Sequence, residues 1–141
     1  MIKGLHHAAL AVPNMDDALS FYCDVVGFEV GMNVDLPGGL MEKPFAIDRA
    51  GCKVRMIHKG TTRIELFEFE HSEPGDASRP VNRVGITHIA LASDDVPADV
   101  ATLEAAGVVF NSEVLGESPD QWCYGRDPFG NVIEVIEDRS E

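Results

Sequence analysis

The stretch HHAALAV, residues 6–12, returns as THIALAS at residues 87–93, and this internal repeat limits the fold more than any other feature of the chain. A sequence written twice builds one supersecondary unit twice. After the first copy, PNMDDALSFYCDVVG carries Ala18, Phe21, Tyr22, Val25 and Val26 at helical spacing, with Asn14 as N-cap and Gly27 as the stop. After the second, DDVPADVATLEAAG repeats the plan, with Asp95 as cap, Pro97 in the first turn, Val96, Val100 and Leu103 on one face, and Gly107 as the stop. Three β-rich runs follow each helix: FEVGMNV, CKVRMIH and TRIELFEF, then VVFNS, QWCYG and NVIEVIE. The expectation is an α+β fold of two βαβββ modules within a single domain spanning 1–141. Module one covers about 1–70, the Pro- and Ser-containing linker HSEPGDASRPVNR covers 71–83, and module two covers about 84–138. DPFGN at 127–131 has hairpin-turn composition, and residues 36–51 have no counterpart in the second half, reading either as a lid or as a surface loop.

Side chains alternate faces along a strand, so parity separates the two histidines of the HH pair. His7 shares a face with Leu5, Ala9 and Ala11, and His88 shares one with Ile86, Ala90 and Ala92, so each histidine stands beside a floor of alanines. Leu10 and Val12, or Ile89 and Leu91, give the opposite face the bulk that a packed helix requires, and His6 falls on that face near the strand start. Glu65 in RIELFEF and Glu134 in VIEVIE are also counterparts. His7 and Glu65 stand 58 positions apart, His88 and Glu134 46, and the unmatched loop absorbs the difference.

Both glutamates are flanked by aliphatic or aromatic residues on either face, where an unpaired charge costs several kcal/mol. The remedies are a cation, an ion pair or a raised pKa. One divalent ion satisfies all four residues: two imidazole nitrogens and two carboxylate oxygens suit Fe, Mn, Co, Ni or Zn and leave positions for water or substrate. The competing reading makes each histidine a hydrogen-bonded core residue and each glutamate the partner of an Arg or Lys. Trp122, Tyr124, Phe45 and Met41 read as pocket lining or as plain core, and Arg55, Arg126 and His58 as substrate anchors or as ordinary surface pairs.

A net charge of −13 repels phosphate backbones and anionic lipid, so nucleic acid and membrane are poor partners. Cys23, Cys52 and Cys123 are an odd number without CxxC spacing, which fits free thiols in a reducing compartment. With no apolar run of membrane-spanning length and no signal-peptide pattern at the N-terminus, the expected location is cytoplasmic.

The doubled plan, HAALAV and HIALAS, SFYCDVVGFEV, IELFE and DPFGNVIEV together resemble the vicinal oxygen chelate superfamily over nearly the whole chain. That group includes glyoxalase I, methylmalonyl-CoA epimerase, extradiol dioxygenases and bleomycin-resistance proteins. The resemblance implies two modules forming an incomplete barrel around one divalent metal, with His7, Glu65, His88 and Glu134 as ligands. It implies Lewis-acid chemistry on a small oxygenated substrate, with Glu134 or Glu65 moving a proton next to a carbonyl and Glu134 preferred by similarity to glyoxalase I. The implied reaction is of lyase, isomerase or epimerase type. A small-molecule binding or resistance protein and an extradiol dioxygenase are the alternatives, and a homodimer is the implied assembly. The ligand set is closest to bacterial glyoxalase I, since methylmalonyl-CoA epimerases usually carry Gln where Glu65 stands. Yet the Arg and Asn with which glyoxalase I grips glutathione are replaced by Ala11 and Phe69, which implies a different or more apolar substrate.

Overall fold

The structure, a computed structural model, describes residues 1–139. The chain forms two compact units, Met1–Pro74 and the part from Gly75 onward. In the first, β1 (Ala8–Ala11) is followed by α1 (Met15–Leu19), β2 (Glu29–Leu36), α2 (Glu42–Phe45), β3 (Cys52–Lys59) and β4 (Thr62–Phe69). The second runs β5 (Ile89–Ser93), α3 (Val96–Ala105), β6 (Val109–Phe110), β7 (Trp122–Arg126) and β8 (Val132–Glu137). Each unit is one open, mixed, four-stranded sheet, ordered β1-β4-β3-β2 in the first and β5-β8-β7-β6 in the second. The first and last strands pair in parallel, with Ala9 opposite Glu65 and Ala90 opposite Glu134, and the other neighbours are antiparallel.

The repeat thus folds as βαβββ twice, with one unmatched addition, α2, inside residues 36–51. Both helix caps act as the sequence indicates. Asn14 accepts from Asp17 N at 3.0 Å and Asp95 from Ala98 N at 3.1 Å, and the stops Gly27 and Gly107 take φ of +87° and +97°, open to glycine at little cost. The first helix differs from the expected single α-helix. From Ser20 to Val25 it widens into a π turn, in which Val26 N donates to Phe21 O at 3.1 Å. The wider turn lets the adjacent Phe21 and Tyr22 both be buried, at 4% and 0% exposure, where a regular α-helix rotates neighbours 100° apart.

The helix-facing side of the first sheet buries Val12, Ile57, Ile64 and Leu66 together with Met15 and Ala18; in the second, Ile133, Val135 and Cys123 are buried with Val96, Val100 and Leu103. At about 1.5–3 kcal/mol per buried large apolar side chain, these faces supply much of the drive to fold. The other face of each sheet carries the histidine, the alanines and the glutamate. Arg55 pairs with Asp35 at 2.8 Å, and Arg126 donates to Gly130 O and Arg79 O, so both serve the fold. In the DPFGN turn Asp127 accepts from Phe129 N and Asn131 N at 3.0 and 2.7 Å, which closes the β7–β8 hairpin.

Glu68 ties the first helix to its sheet: it accepts from Lys53 Nζ at 2.8 Å and from Met15 N at 2.6 Å, at the helix start. The Lys53 ammonium, then the Met15 amide, hold its carboxyl below the ordinary carboxylate range. A group whose pKa falls on folding stabilises the fold above its unfolded value, near ~4.3 for Glu, and loses that contribution as pH falls through the folded value. Glu68→Gln should therefore cost about 1 kcal/mol in urea unfolding at neutral pH. The difference from the native protein should vanish in acid, below the folded value. A pH-independent cost would show that the carboxylate charge is not what matters.

Candidate metal-binding site

Parallel pairing of the outer strands sets His7 one alternation before Ala9 and so beside Glu65, the residue opposite Ala9. His7 Nε2 lies 3.1 Å from Glu65 Oε2. The second unit repeats this with His88 Nε2 at 3.2 Å from Glu134 Oε2. The glutamate side chains are 16% and 11% exposed and the histidines 33% and 29%, so each pair has a buried carboxylate and an imidazole edge that solvent reaches. The structure therefore joins the four sequence candidates in two pairs, one per unit. Among the described residues no group of three or more His, Cys, Asp or Glu is gathered to hold a metal.

The donor chemistry of each pair fits a divalent cation. Two ligands each ~2.1 Å from a metal and separated by ~90–109° stand ~3.0–3.4 Å apart, which spans the spacing seen here. The same Nε2 and Oε2 atoms either share a proton or share a cation. In both units the residue just before the histidine engages its other nitrogen: His6 Nδ1 lies 2.8 Å from His7 Nδ1, and Thr87 Oγ1 lies 2.8 Å from His88 Nδ1. Such contacts fix the ring and leave Nε2 facing the carboxylate. His6 keeps away from Glu65, as parity requires, but its contact with His7 is not evident from strand parity. The signal lies in the repeat, because HH and TH occupy equivalent positions.

Neighbouring residues differ between the units. Tyr124 stands opposite Glu134 in the β7–β8 ladder. Interaction with the Glu134 carboxylate, then burial, pushes the Tyr124 phenol above its ordinary pKa. The Tyr124 ring meets His88 edge-on at 5.0 Å and Trp122 at 5.6 Å. In the first unit Met56 occupies the corresponding place, opposite Glu65. Two residues along β4, Phe67 begins an apolar cluster: Cys52, Val54 and Phe67 are buried, with Leu36, Met41, Phe45 and Phe69 packed against them. Phe67 and Phe69 stack at 5.6 Å and Phe45 caps both edge-on. Residues 36–51 are thus seated on the glutamate-bearing face by their own side chains. The buried thiols of Cys52 and Cys123 are pushed up in pKa mainly by desolvation, which keeps them protonated.

A protein-family model described as the Glyoxalase/Bleomycin resistance protein/Dioxygenase superfamily matches residues 4–135. The chain belongs to this superfamily. A 2-epi-5-epi-valiolone epimerase of Actinomyces sp is 29% identical over 94% of this chain and 78% of its own length. A glyoxalase family protein from Bacillus cereus superposes with a TM-score of 0.86, at 21% identity, over 97% of this chain and 95% of that one. A mutant of the fosfomycin resistance protein FosX from Listeria monocytogenes, complexed with Mn(II) and 1S,2S-dihydroxypropylphosphonic acid, matches at a TM-score of 0.67 and 20% identity, over 96% of this chain and 93% of that one. Superfamily members thus include an epimerase, and one neighbour of the same fold holds a metal. Among the described residues no helix is long and apolar enough to cross a membrane.

His7→Ala and His88→Ala should each lose bound divalent metal while keeping their circular dichroism and melting profile, since the helix-facing cores are untouched. His6→Ala should keep metal, weakened by about tenfold at most, as expected for a residue one step from the ion. Metal analysis of the purified variants checks this, and a larger loss from His6 than from His7 would overturn the assignment.

Proposed function

We propose that the protein is a divalent-metal-dependent enzyme that moves a proton next to a carbonyl of a small oxygenated substrate, a reaction of isomerase, epimerase or lyase type. The observation that carries this reading is the pair of imidazole–carboxylate contacts at equivalent repeat positions, each with Nε2 and Oε2 turned together and Nδ1 engaged elsewhere. His7, Glu65, His88 and Glu134 are the proposed metal ligands; Fe, Mn, Co, Ni and Zn all accept such donors. When bound, the ion supplies Lewis-acid polarisation of a substrate oxygen. The chain supplies the rest: the histidines hold through Nε2, and a glutamate Oε2 takes the proton from the carbon beside the carbonyl and returns it to that carbon or its neighbour. The epimerase relative supports this chemistry. The three free thiols support a reducing, cytoplasmic setting, and a homodimer is the proposed assembly.

A resistance-type protein acting on a small molecule at the same metal is the second reading, favoured by the likeness to FosX. The proposed proton transfer is tested by incubating metal-loaded protein with cyclitol ketones, acyl-CoA epimers and hemithioacetals in D2O. Deuterium appearing beside the carbonyl supports it. Tight ligand binding with neither exchange nor turnover would favour the second reading.

Glutathione hemithioacetals should be poor substrates. Ala11 offers no donor, and Phe69 is packed into the apolar cluster rather than presenting one. Loss of two charged hydrogen bonds at about 2 kcal/mol each implies a deficit of roughly a thousandfold. Steady-state kinetics with methylglyoxal and glutathione checks this, and a kcat/KM above ~10⁵ M⁻¹s⁻¹ would show that other residues replace those donors.

A further inference from the structure

Residues 37–50 stand apart from the sheet they cover. Among the described residues, their hydrogen bonds run within the segment: Phe45 N donates to Met41 O at 2.9 Å, Ile47 N to Glu42 O at 3.2 Å, and Arg49 N to Glu42 Oε1 at 3.1 Å. What joins the segment to the sheet is apolar. Met41 and Phe45 pack against Cys52, Val54 and Phe67, and Phe45 meets Phe67 and Phe69 edge-on at 5.5 and 5.6 Å. Glycines stand at both ends. Gly39 takes a φ of +95° where a Cβ would meet nothing within 4 Å, and Gly38 and Gly51 flank the Glu70 side chain, whose carboxyl a Cβ on Gly51 would overlap. Pairing of Leu36 with Cys52 brings these ends together, so the segment is a closed loop on two glycine feet. Between the feet, Ala46 and Arg49 both take φ of +54°, left-handed backbone that disfavours residues with a Cβ.

Cys52, Val54 and Met56 on β3 stand opposite Phe69, Phe67 and Glu65 on β4, so all six share the glutamate-bearing face, away from the side that packs with α1. Cys52 and Val54 are nonetheless only 3% exposed, and Met41 and Phe45 are among the side chains that bury them. We infer that residues 37–51 are a lid, hinged at Gly38–Gly39 and at Gly51 and latched by Phe45, which lifts as a body to uncover Cys52, Val54 and Phe67 beside Glu65 while the sheet stays folded. A self-bonded loop seated by two apolar side chains opens at the cost of that seat alone, and the left-handed backbone at Ala46 and Arg49 works against the seat. Glycine feet let the ends swing without a steric penalty. The unmatched insertion thereby gains a role that the second unit lacks. This movement does not require the metal reading: the lid is defined by its seat and its hinges, whatever Glu65 holds.

Cys52, buried beneath the segment, reports its opening, and iodoacetamide labelling read by peptide mass spectrometry separates it from Cys23 and Cys123. In the native protein the rate of Cys52 labelling should be nearly independent of urea well below the unfolding transition, because lifting a lid exposes little surface, whereas opening of the whole unit makes the rate climb steeply. Phe45→Ala removes the latch and should speed Cys52 labelling by roughly tenfold or more, with Cys123 unchanged. Phe45→Leu, which keeps an apolar seat, should restore most of the native rate. Ile47→Ala, at a 47% exposed residue of the same segment, should leave the rate as it is. If Phe45→Ala fails to fold, the urea profile of the native protein decides alone. Cys52 labelling that rises with urea as steeply as unfolding itself overturns the lid and makes the segment a fixed part of the core, and so does a Phe45→Ala rate equal to the native one. Metal analysis of the same native protein bears only on the proposed ligands, so failure of either reading leaves the other standing.

Discussion

Parallel pairing of the first and last strands of each unit is the constraint on which the rest depends. It puts Ala9 beside Glu65 and Ala90 beside Glu134, and one alternation back along the first strand brings an imidazole to each carboxylate. The same register buries Ile64 and Leu66, or Ile133 and Val135, under the helix. A slip of one residue would turn the glutamates into the helix-facing core and the aliphatics outward, so the hydrophobic term that folds each sheet also fixes the contacts of the site. Parallel neighbours need a long crossover, and the helix followed by two strands supplies it. Fold and site are two consequences of one pattern.

Buried or half-buried carboxylates occur at several places, and their partners separate structural from chemical roles. Glu137 accepts from Ser118 Oγ at 2.7 Å and Arg139 Nε at 2.6 Å, Glu68 from Lys53 and a helix-start amide, and Asp127 from the amides of its own turn. Glu65 and Glu134 instead meet the imidazole nitrogens of His7 and His88, a residue type that also serves as a metal ligand. That pairing with histidine, rather than with Arg or Lys, is what the proposed metal reading rests on.

Much of this was legible in the sequence because the signals were periodic. The repeat carried the βαβββ plan, Asn14 and Asp95 marked helix starts, and strand parity separated His7 from His6. The π turn was not legible, since Phe21, Tyr22, Val25 and Val26 fit an α-helical stripe, and the choice between turn types rests on tertiary burial of two adjacent aromatic rings. Tyr124 read as pocket lining or plain core because a lone aromatic in a strand usually is one or the other; its place opposite Glu134 appears when the DPFGN turn is used to count the hairpin register back. The loop at 36–51 has no periodicity, so its docking through Phe45 depends on side chains remote in sequence.

That docking narrows the chemistry further. On β4 the charged Glu65 and the aromatic Phe67 and Phe69 follow one another on a single face, each two-residue step covering ~6.8 Å. The face around Glu65 thus turns from polar to aromatic within the length of a small molecule. Phe45, carried by the segment that the second unit lacks, packs edge-on against Phe69. An inserted segment that adds apolar surface beside an acidic ligand offers dispersion contact and water exclusion rather than charge recognition. On this face the inserted segment therefore gives Glu65 apolar rather than charged surroundings along its strand.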